Sequence, residues 1–246
     1  MYMLHEVEKR YGKSTVLQHI TCTIPSNELV VMMGPSGAGK STLLRLLSFI
    51  EVPDHGSVCL KLNGDLFDSA KNARPWPRIT CVFQKQFLWP HLTLLDNLLL
   101  PLRAAKQRDV KERVTKAIEL FDMSDFINRY PNEVSGGQAQ RVALARALVL
   151  DPELILIDEP HGGLDLEQQS VLNDHLLRLR SSGVGLIIAT HSLEFTRQYA
   201  DTVVTVENGT VAAVTIKEAF LHPSTEYLKR ATGMTTPFTA SYKGRI

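Results

Sequence analysis

Nine consecutive residues, Gly34-Pro35-Ser36-Gly37-Ala38-Gly39-Lys40-Ser41-Thr42, constrain this chain more than any other stretch. They follow an apolar run, Leu29 to Met33, that reads as a buried strand, and precede an apolar helical run, Leu43 to Ile50. Strand, glycine-rich loop, helix is the setting that the G-x-x-x-x-G-K-[ST] pattern requires. The glycines permit tight backbone angles and let N–H groups curl around phosphate oxygens. Lys40 is placed to reach terminal phosphates, the Ser41 hydroxyl to bind Mg²⁺, and the positive end of the helix to face the anion. The pattern implies a nucleoside triphosphate site.

The 246 residues suit one large domain or a domain with a subdomain, and 44% hydrophobic with 22% charged content is ordinary for a globular chain. A net charge of +1 gives no broad electrostatic case for nucleic acid or an anionic membrane. Cys22, Cys59 and Cys81 are isolated, which fits buried thiols in a reducing compartment and excludes a disulfide framework or a paired-cysteine zinc site. The start, Met1 to Glu6, lacks the basic and apolar regions of a secretory signal. No apolar run approaches the ~20 residues that span a bilayer. Action at a membrane would need another subunit as anchor.

Met3 to Val7, Val16 to Ile24, Leu29 to Met33, Ser57 to Leu62 and Ile79 to Phe83 read as strands. Tyr11-Gly12 and Pro53 to Gly56 read as turns, and Asn72 to Pro77 as a loop. From Leu88 the character changes. Leu94 to Leu102 is leucine-rich and broken by Pro101. Asp109 then opens a helix with Glu112 as its capping-box partner, and Val110, Val114, Ala117, Ile118 and Phe121 share a face. Residues 88 to 134 therefore read as an inserted helical subdomain. An Ala/Leu-rich helix runs from Ala139 to Leu150 and stops at Asp151-Pro152. Leu154 to Ile157 and Leu186 to Ala189 are fully apolar, as in parallel sheets. Between them lies a helix with Val171, Leu172, Leu176 and Leu179 on one side and Gly183 at its end. Glu207-Asn208-Gly209 marks a hairpin, and the tail from Thr235 is polar and aperiodic.

Several residues fall where a phosphate-hydrolysing site needs them. Asp158, at the tip of an apolar strand, is placed to hold Mg²⁺, and Glu159 to polarise a water. Gln84 follows a strand, and its amide can ligate Mg²⁺ or orient water; the residues alone do not separate these from an exposed surface glutamine. His191 follows another strand end, within reach of a γ-phosphate or hydrogen-bonded at the surface. Ser135-Gly136-Gly137-Gln138 makes a second anion site at a helix start. Two such starts with one nucleotide loop leave two arrangements: two nucleotides per chain, or a site completed by a second subunit.

The order GPSGAGKST, Gln84, VSGGQ (Val134 to Gln138), LILIDE (Leu154 to Glu159), Leu164-Asp165 and His191 resembles the ATP-binding cassette family of transport ATPases, up to about residue 220. The resemblance implies an α/β fold: a RecA-like P-loop NTPase core, an antiparallel β subdomain and the helical insertion, over 1–222, with 223–246 as a C-terminal tail. It implies that two copies close head to tail on two ATP molecules with Mg²⁺. Gly34 to Thr42, Tyr11 and Val16 would bind ATP, with Tyr11 stacked on adenine. Ser41, Gln84 and Asp158 would hold the metal. Glu159 would be the base and His191 the switch, acting with Lys40 and Gln84. Ser135, Gly136, Gly137, Gln138 and Asp165 would serve the partner's nucleotide. His161-Gly162-Gly163 departs from the family's Thr-Ser-Ala-like run, and its glycines should loosen the loop that couples the sites. Val134 for leucine and Lys85 for a second glutamine are smaller departures.

Phe87 to Thr93, Asp96-Asn97, His191 to Phe195, Ala200-Asp201 and His222-Pro223 are similar to the polar amino acid uptake group, and in part to lipoprotein-release, export and cell-division members. The expected setting is peripheral, on the cytoplasmic face of the cell membrane. The expected partners are a homodimer mate, transmembrane permease subunits and a separate solute-binding protein, with no nucleic acid. A DNA-repair ATPase would need a long heptad insertion or a zinc hook, and neither is present. Lys40, Asp158, Glu159 and His191 together argue against a non-catalytic regulator.

Overall fold

Every residue of Leu29–Met33, Leu154–Asp158 and Gly185–Ala189 is buried, so these short runs must be covered on both faces. The computed structural model describes residues 1–162, 164–215, 219–220 and 225–232. In chain order its strands are β1 (Tyr2–Tyr11), β2 (Ser14–Ile24), β3 (Leu29–Met33), β4 (His55–Leu62), β5 (Asp65–Asp68), β6 (Ile79–Val82), β7 (Leu154–Asp158), β8 (Gly185–Ala189), β9 (Thr202–Glu207) and β10 (Thr210–Thr215). The helices are α1 (Lys40–Leu47), α2 (Leu94–Ala104), α3 (Val110–Leu120), α4 (Gly136–Leu148), α5 (Leu166–Ser181), α6 (Leu193–Tyr199) and a short one over Glu226–Ala231. Gly163, His222-Pro223 and the tail from Thr235 lie outside the described residues.

A six-stranded sheet runs β10-β9-β3-β8-β7-β6, parallel except for the β9–β10 hairpin. Alternation along β3 and β7 sends Leu29, Val31, Met33, Ile155 and Ile157 into a core shared with α2 to α6. Val30, Met32, Leu154 and Leu156 enter a second core with α1 and the four-stranded antiparallel sheet β2-β1-β4-β5. The hairpin expected at Asn208-Gly209 forms with both residues at positive φ, as a two-residue turn of this kind requires.

Four expectations are corrected. Pro101 lies inside α2 and does not break it. Leu94, Leu98 and Leu102 are buried on one face, each worth roughly 2 kcal/mol, and together they outweigh the ~3 kcal/mol that an interior proline costs. Asp109 precedes α3 in a left-handed conformation, so its side chain makes no cap, and Glu112 pairs with Lys116 at 2.7 Å. Val171 is 40% exposed, while Leu172, Leu176 and Leu179 of the same helix are buried. The strand after Pro53-Asp54 begins at His55 and takes Gly56 with it.

The cysteines are free and half-buried; burial pushes the Cys22 thiol up to about 11 and raises Cys81 further.

Candidate functional site

Parallel strands bring their carboxyl ends to one edge, and β3, β7 and β8 lie side by side there. Asp158 pairs in register with Ala189, and Ala189 with Met32, so the residues just beyond each strand become neighbours. The Glu159 N–H donates to the Ala189 carbonyl at 2.8 Å, and Thr190 N–H to the Met32 carbonyl at 3.2 Å. These backbone links bring together side chains that are distant in sequence.

At this edge lies a cleft of about 610 Å³ lined by Val16, Ser36, Gly37, Gly39, Lys40, Ser41, Thr42, Gln84, Asp158, Glu159 and His191. Gly34 closes the loop against β9: a Cβ there would stand 2.0 Å from the Val206 carbonyl oxygen. The Lys40 ammonium is buried and donates to the carbonyls of Gly34 (2.8 Å) and Pro35 (3.1 Å). It also lies 3.3 Å from His191 Nε2, which is 3.2 Å from Glu159 Oε1. One nitrogen cannot serve both: unprotonated it accepts from Lys40, protonated it faces the carboxylate. Apart from that approach of His191 Nε2, Glu159 Oε1 has no polar partner among the described residues. Burial raises the Glu159 carboxyl above the usual range, against the pull of His191 and Lys40. Burial lowers the Lys40 ammonium, opposed by Glu159 and Asp158.

The expected residues therefore divide. Lys40, Ser41, Gln84, Asp158, Glu159, His191 and Val16 converge on one cleft. Tyr11 does not line it: its ring is 42% exposed, its hydroxyl donates to Glu51 at 2.5 Å, and the Lys9 ammonium lies 5.6 Å from the ring centre. Ser135, Gly137 and Gln138 line a different hollow of about 180 Å³ with Leu164, Gln168 and Val171. There Ser135 Oγ accepts from Gln138 N–H at 3.2 Å and Gln138 Oε1 from Ser135 N–H at 2.9 Å, a reciprocal cap on α4. Asp165 caps α5, its carboxylate accepting from Gln168 N–H at 2.8 Å.

Two lining residues escaped the sequence reading. Arg45 is one helical turn after Ser41, a spacing that would have found it, and its guanidinium lies 3.6 Å from Glu51. Gly162 lines the cleft beside Gln84. In the loop after Glu159, His161 Nε2 lies 2.7 Å from Asn173 Oδ1.

A lysine-bearing glycine loop, a buried carboxylate at a strand tip and a glutamate beside a histidine form the constellation that phosphoryl chemistry uses. Comparison with known proteins agrees. The ABC transporter family model matches residues 12–162. The glutamine transport ATP-binding protein GlnQ of Geobacillus stearothermophilus is 36% identical over 236 residues, covering 93% of this chain and 96% of that one. The arginine transport ATP-binding protein ArtP of Escherichia coli K12 is 38% identical over 228 residues, covering 89% and 93%. The spermidine/putrescine import ATP-binding protein PotA of Nitrosomonas europaea is 34% identical over 229 residues; these cover 92% of this chain but 62% of PotA. The sulfate/thiosulfate import protein CysA of Synechocystis is likewise spanned over only 64% of its length. Among solved structures, a dimeric bacterial ABC transporter cassette superposes with a TM-score of 0.76 at 33% identity, covering 88% of this chain and 99% of that one. A dimeric ATP-binding cassette in a post-hydrolysis state with ADP and Pi gives 0.75 at 29% identity, with the same coverage. On the matched family model, the near end-to-end relatives and the shared fold, this chain belongs to the ABC transporter family.

Proposed function

We propose that this chain is the ATP-hydrolysing subunit of an importer for a small polar solute, with amino acid uptake as its task. The observation that carries the reading is the convergence of Lys40, Asp158, Glu159 and His191 on one cleft while Ser135 to Gln138 lie on another surface. The choice of solute class rests on GlnQ and ArtP, which the chain matches over 96% and 93% of their lengths.

The reaction is ATP and water to ADP and phosphate. Lys40 exchanges its carbonyl partners for the terminal phosphates, and the loop N–H groups hold the chain of phosphates in place. Glu159, with a raised affinity for protons, takes the proton of the attacking water. His191 fixes Glu159 and the γ-phosphate relative to each other. Val16 packs beside the nucleotide, and Tyr11 stacks on adenine after its hydroxyl leaves Glu51.

Ser41, Gln84 and Asp158 offer three oxygen donors on the same cleft, a set that fits Mg²⁺. Among the described residues no three His, Cys, Asp or Glu side chains cluster so as to hold a metal ion by themselves. Held by Ser41, Gln84 and Asp158, Mg²⁺ would supply neutralisation of phosphate charge. A second copy supplies Ser135, Gly136, Gly137, Gln138 and Asp165 to the nucleotide held by Lys40. Catalysis and closure are thereby one event.

Transport needs a permease. Among the described residues no helix is long and apolar enough to cross a membrane. A groove of about 280 Å³, with Trp76, Trp89, Pro101 and Arg146 in its lining, is open to an apolar permease segment. The Arg146 guanidinium donates to the carbonyls of Gln86 (2.8 Å) and Phe87 (2.9 Å) and lies 4.9 Å over the Trp89 ring. Burial there lowers it to about 10. Movement in the groove is thus tied to the segment that carries Gln84. The working unit is a dimer on the cytoplasmic face of the membrane, with a solute-binding protein delivering cargo. Residues 1–222 form the ATPase domain, 88–134 its helical subdomain and 223–246 a tail.

The test uses the chain co-expressed with its permease and reconstituted in proteoliposomes. ATP-driven uptake of labelled arginine or glutamine should occur with the natural chain and cease with Glu159→Gln, while that variant still binds ATP and accumulates as a dimer. Normal turnover by Glu159→Gln would remove Glu159 from its role. Uptake of neither amino acid beside intact ATPase activity would reject the solute class.

A further inference from the structure

The His161 side chain occupies a position that the chemistry above does not use. It follows Glu159 by two residues, in a turn closed by Gly162 N–H to the Glu159 carbonyl and Leu164 N–H to the His161 carbonyl, both at 3.3 Å. Its Nε2 lies 2.7 Å from Asn173 Oδ1 on α5. Its Nδ1 lies 3.5 Å from the hydroxyl of Thr190, the residue before His191. Its ring centre is 5.0 Å from that of Phe195 on α6, inclined at 56°, and Phe195 packs in turn on Tyr199 at 5.1 Å. One imidazole therefore touches three elements: α5, the loop after β8, and α6.

The hydrogen bonds are complete in only one arrangement. Asn173 Oδ1 accepts, so Nε2 carries the proton, and Nδ1 is left as the acceptor. Thr190 Oγ1 already accepts from Ser192 N–H at 3.2 Å, so its own proton is the one to give to Nδ1. Thr190 is buried, with its N–H bonded to the Met32 carbonyl, and hence cannot drift independently of β3. Burial lowers the affinity of His161 for a second proton, which keeps the ring neutral.

We propose that His161 is a positioning residue: it clamps the loop bearing Glu159 to the loop bearing His191 through Thr190, and so fixes the approach of those two side chains. This rests on the ATPase reading of the site. The clamp acts beside the 3.2 Å contact of His191 Nε2 with Glu159 Oε1, where a displacement of a few tenths of an ångström spoils alignment. Misplacement by 1 Å costs on the order of 100-fold in rate, so partial release should cost about tenfold. Nucleotide affinity comes from Lys40 and the glycine loop, which His161 does not touch.

The experiment is a double-mutant cycle on the full chain, measuring kcat and KM for MgATP. His161→Leu and Thr190→Val should each lower kcat about tenfold with KM changed less than twofold. The double variant should be no slower than about tenfold, because both remove one link. His161→Asn, which keeps a polar group facing Thr190, should recover part of kcat. Should His161→Leu fail to fold, His161→Ala carries the cycle. Multiplying losses, an unchanged kcat, or an effect confined to KM or to the melting temperature would overturn the proposal. Glu159→Gln is measured alongside: if it turns over normally, the ATPase reading fails; if it is dead and the His161 variants are unaffected, only the clamp fails.

Discussion

Replacing Gly34 by alanine should uncouple nucleotide turnover from folding in a way that the structure quantifies. The added methyl would stand 2.0 Å from the Val206 carbonyl oxygen, and Cβ atoms essentially never approach closer than 3.0 Å. Loop and strand must therefore separate by about 1 Å or more. Val206 belongs to β9, which is held by β3 on one side and β10 on the other, so the loop is the partner that moves. Overpacking of this size costs about 1–3 kcal/mol, which lowers the melting temperature by roughly 2–10 °C at this length. A 1 Å shift of the loop bearing Lys40 costs on the order of 100-fold in kcat/KM. The control is Gly185→Ala, where a Cβ would stand the same 2.0 Å from the Ser26 carbonyl oxygen, but at the start of β8, the end away from the cleft. It should melt earlier by a similar margin yet retain turnover in the folded fraction. Thermal melts and steady-state ATPase assays on both variants decide the matter. Equal loss of turnover in the two, or a Gly34→Ala protein with normal kcat/KM, would refute the reasoning.

Ser135→Arg should leave nucleotide binding to the isolated chain within twofold while reducing hydrolysis by at least 100-fold; filter binding and phosphate release would separate the two, and unchanged hydrolysis would argue against a shared site. His175 is 2% exposed, packs against Phe121 with ring centres 4.8 Å apart and tilted at 50°, and has no hydrogen-bond partner on either ring nitrogen among the described residues. Burial, aided by Arg178 and Arg141 and opposed by Asp122 and Asp174, lowers its proton affinity below the ordinary 6.5. The unfolded chain therefore binds a proton at higher pH than the folded one, so stability is full above about pH 6.5 and declines as the pH falls below it. His175→Leu should flatten that decline in urea titrations run between pH 7 and 5; an unaltered slope would remove His175 as its source.

The fold was most legible where local pattern and tertiary burial agree. β3, β7 and β8 are uninterrupted apolar runs of the kind that only a doubly covered parallel sheet accommodates, and both faces are indeed covered. β5 is only four residues long, none of them buried, and exists through its pairing with β4, which no local pattern encodes. Pro101 was misread because a proline signals a break locally, whereas the leucines beside it are held from the other side of the core. The cap at Asp109 failed for a backbone reason: the residue types matched, but Asp109 is left-handed, and a capping residue needs an extended backbone.

In the site, residue types and order were legible and contacts were not. Asp158, Glu159 and His191 could be named because each ends a recognisable strand; that His191 Nε2 lies between Lys40 and Glu159 depends on strand order. Tyr11 tied to Glu51 and His161 tied to Asn173 and Thr190 are pairings across 12 to 40 residues without periodicity.

The two open arrangements for the anion sites can now be weighed. Among α1 to α6, only α1 and α4 have no acidic residue in the first turn; α2, α3, α5 and α6 carry Asp96, Glu112, Glu167 and Glu194 there. Their positive ends are uncompensated, and each is preceded or opened by glycine. Ser135 spends its hydroxyl on Gln138 N–H, which leaves the N–H groups of Gly136 and Gly137 as the free donors of α4. Among the described residues the hollow beside those donors is lined by no lysine, and its charged side chains are Arg141 and Glu167. A complete nucleotide site there would need a second phosphate loop, and the chain has one. The cleft of Lys40 has the complementary lack: among the described residues its lining includes none of Ser135 to Gln138. Two half-sites on separate surfaces of one chain can meet across a second copy turned head to tail, which favours the shared site over two nucleotides bound independently.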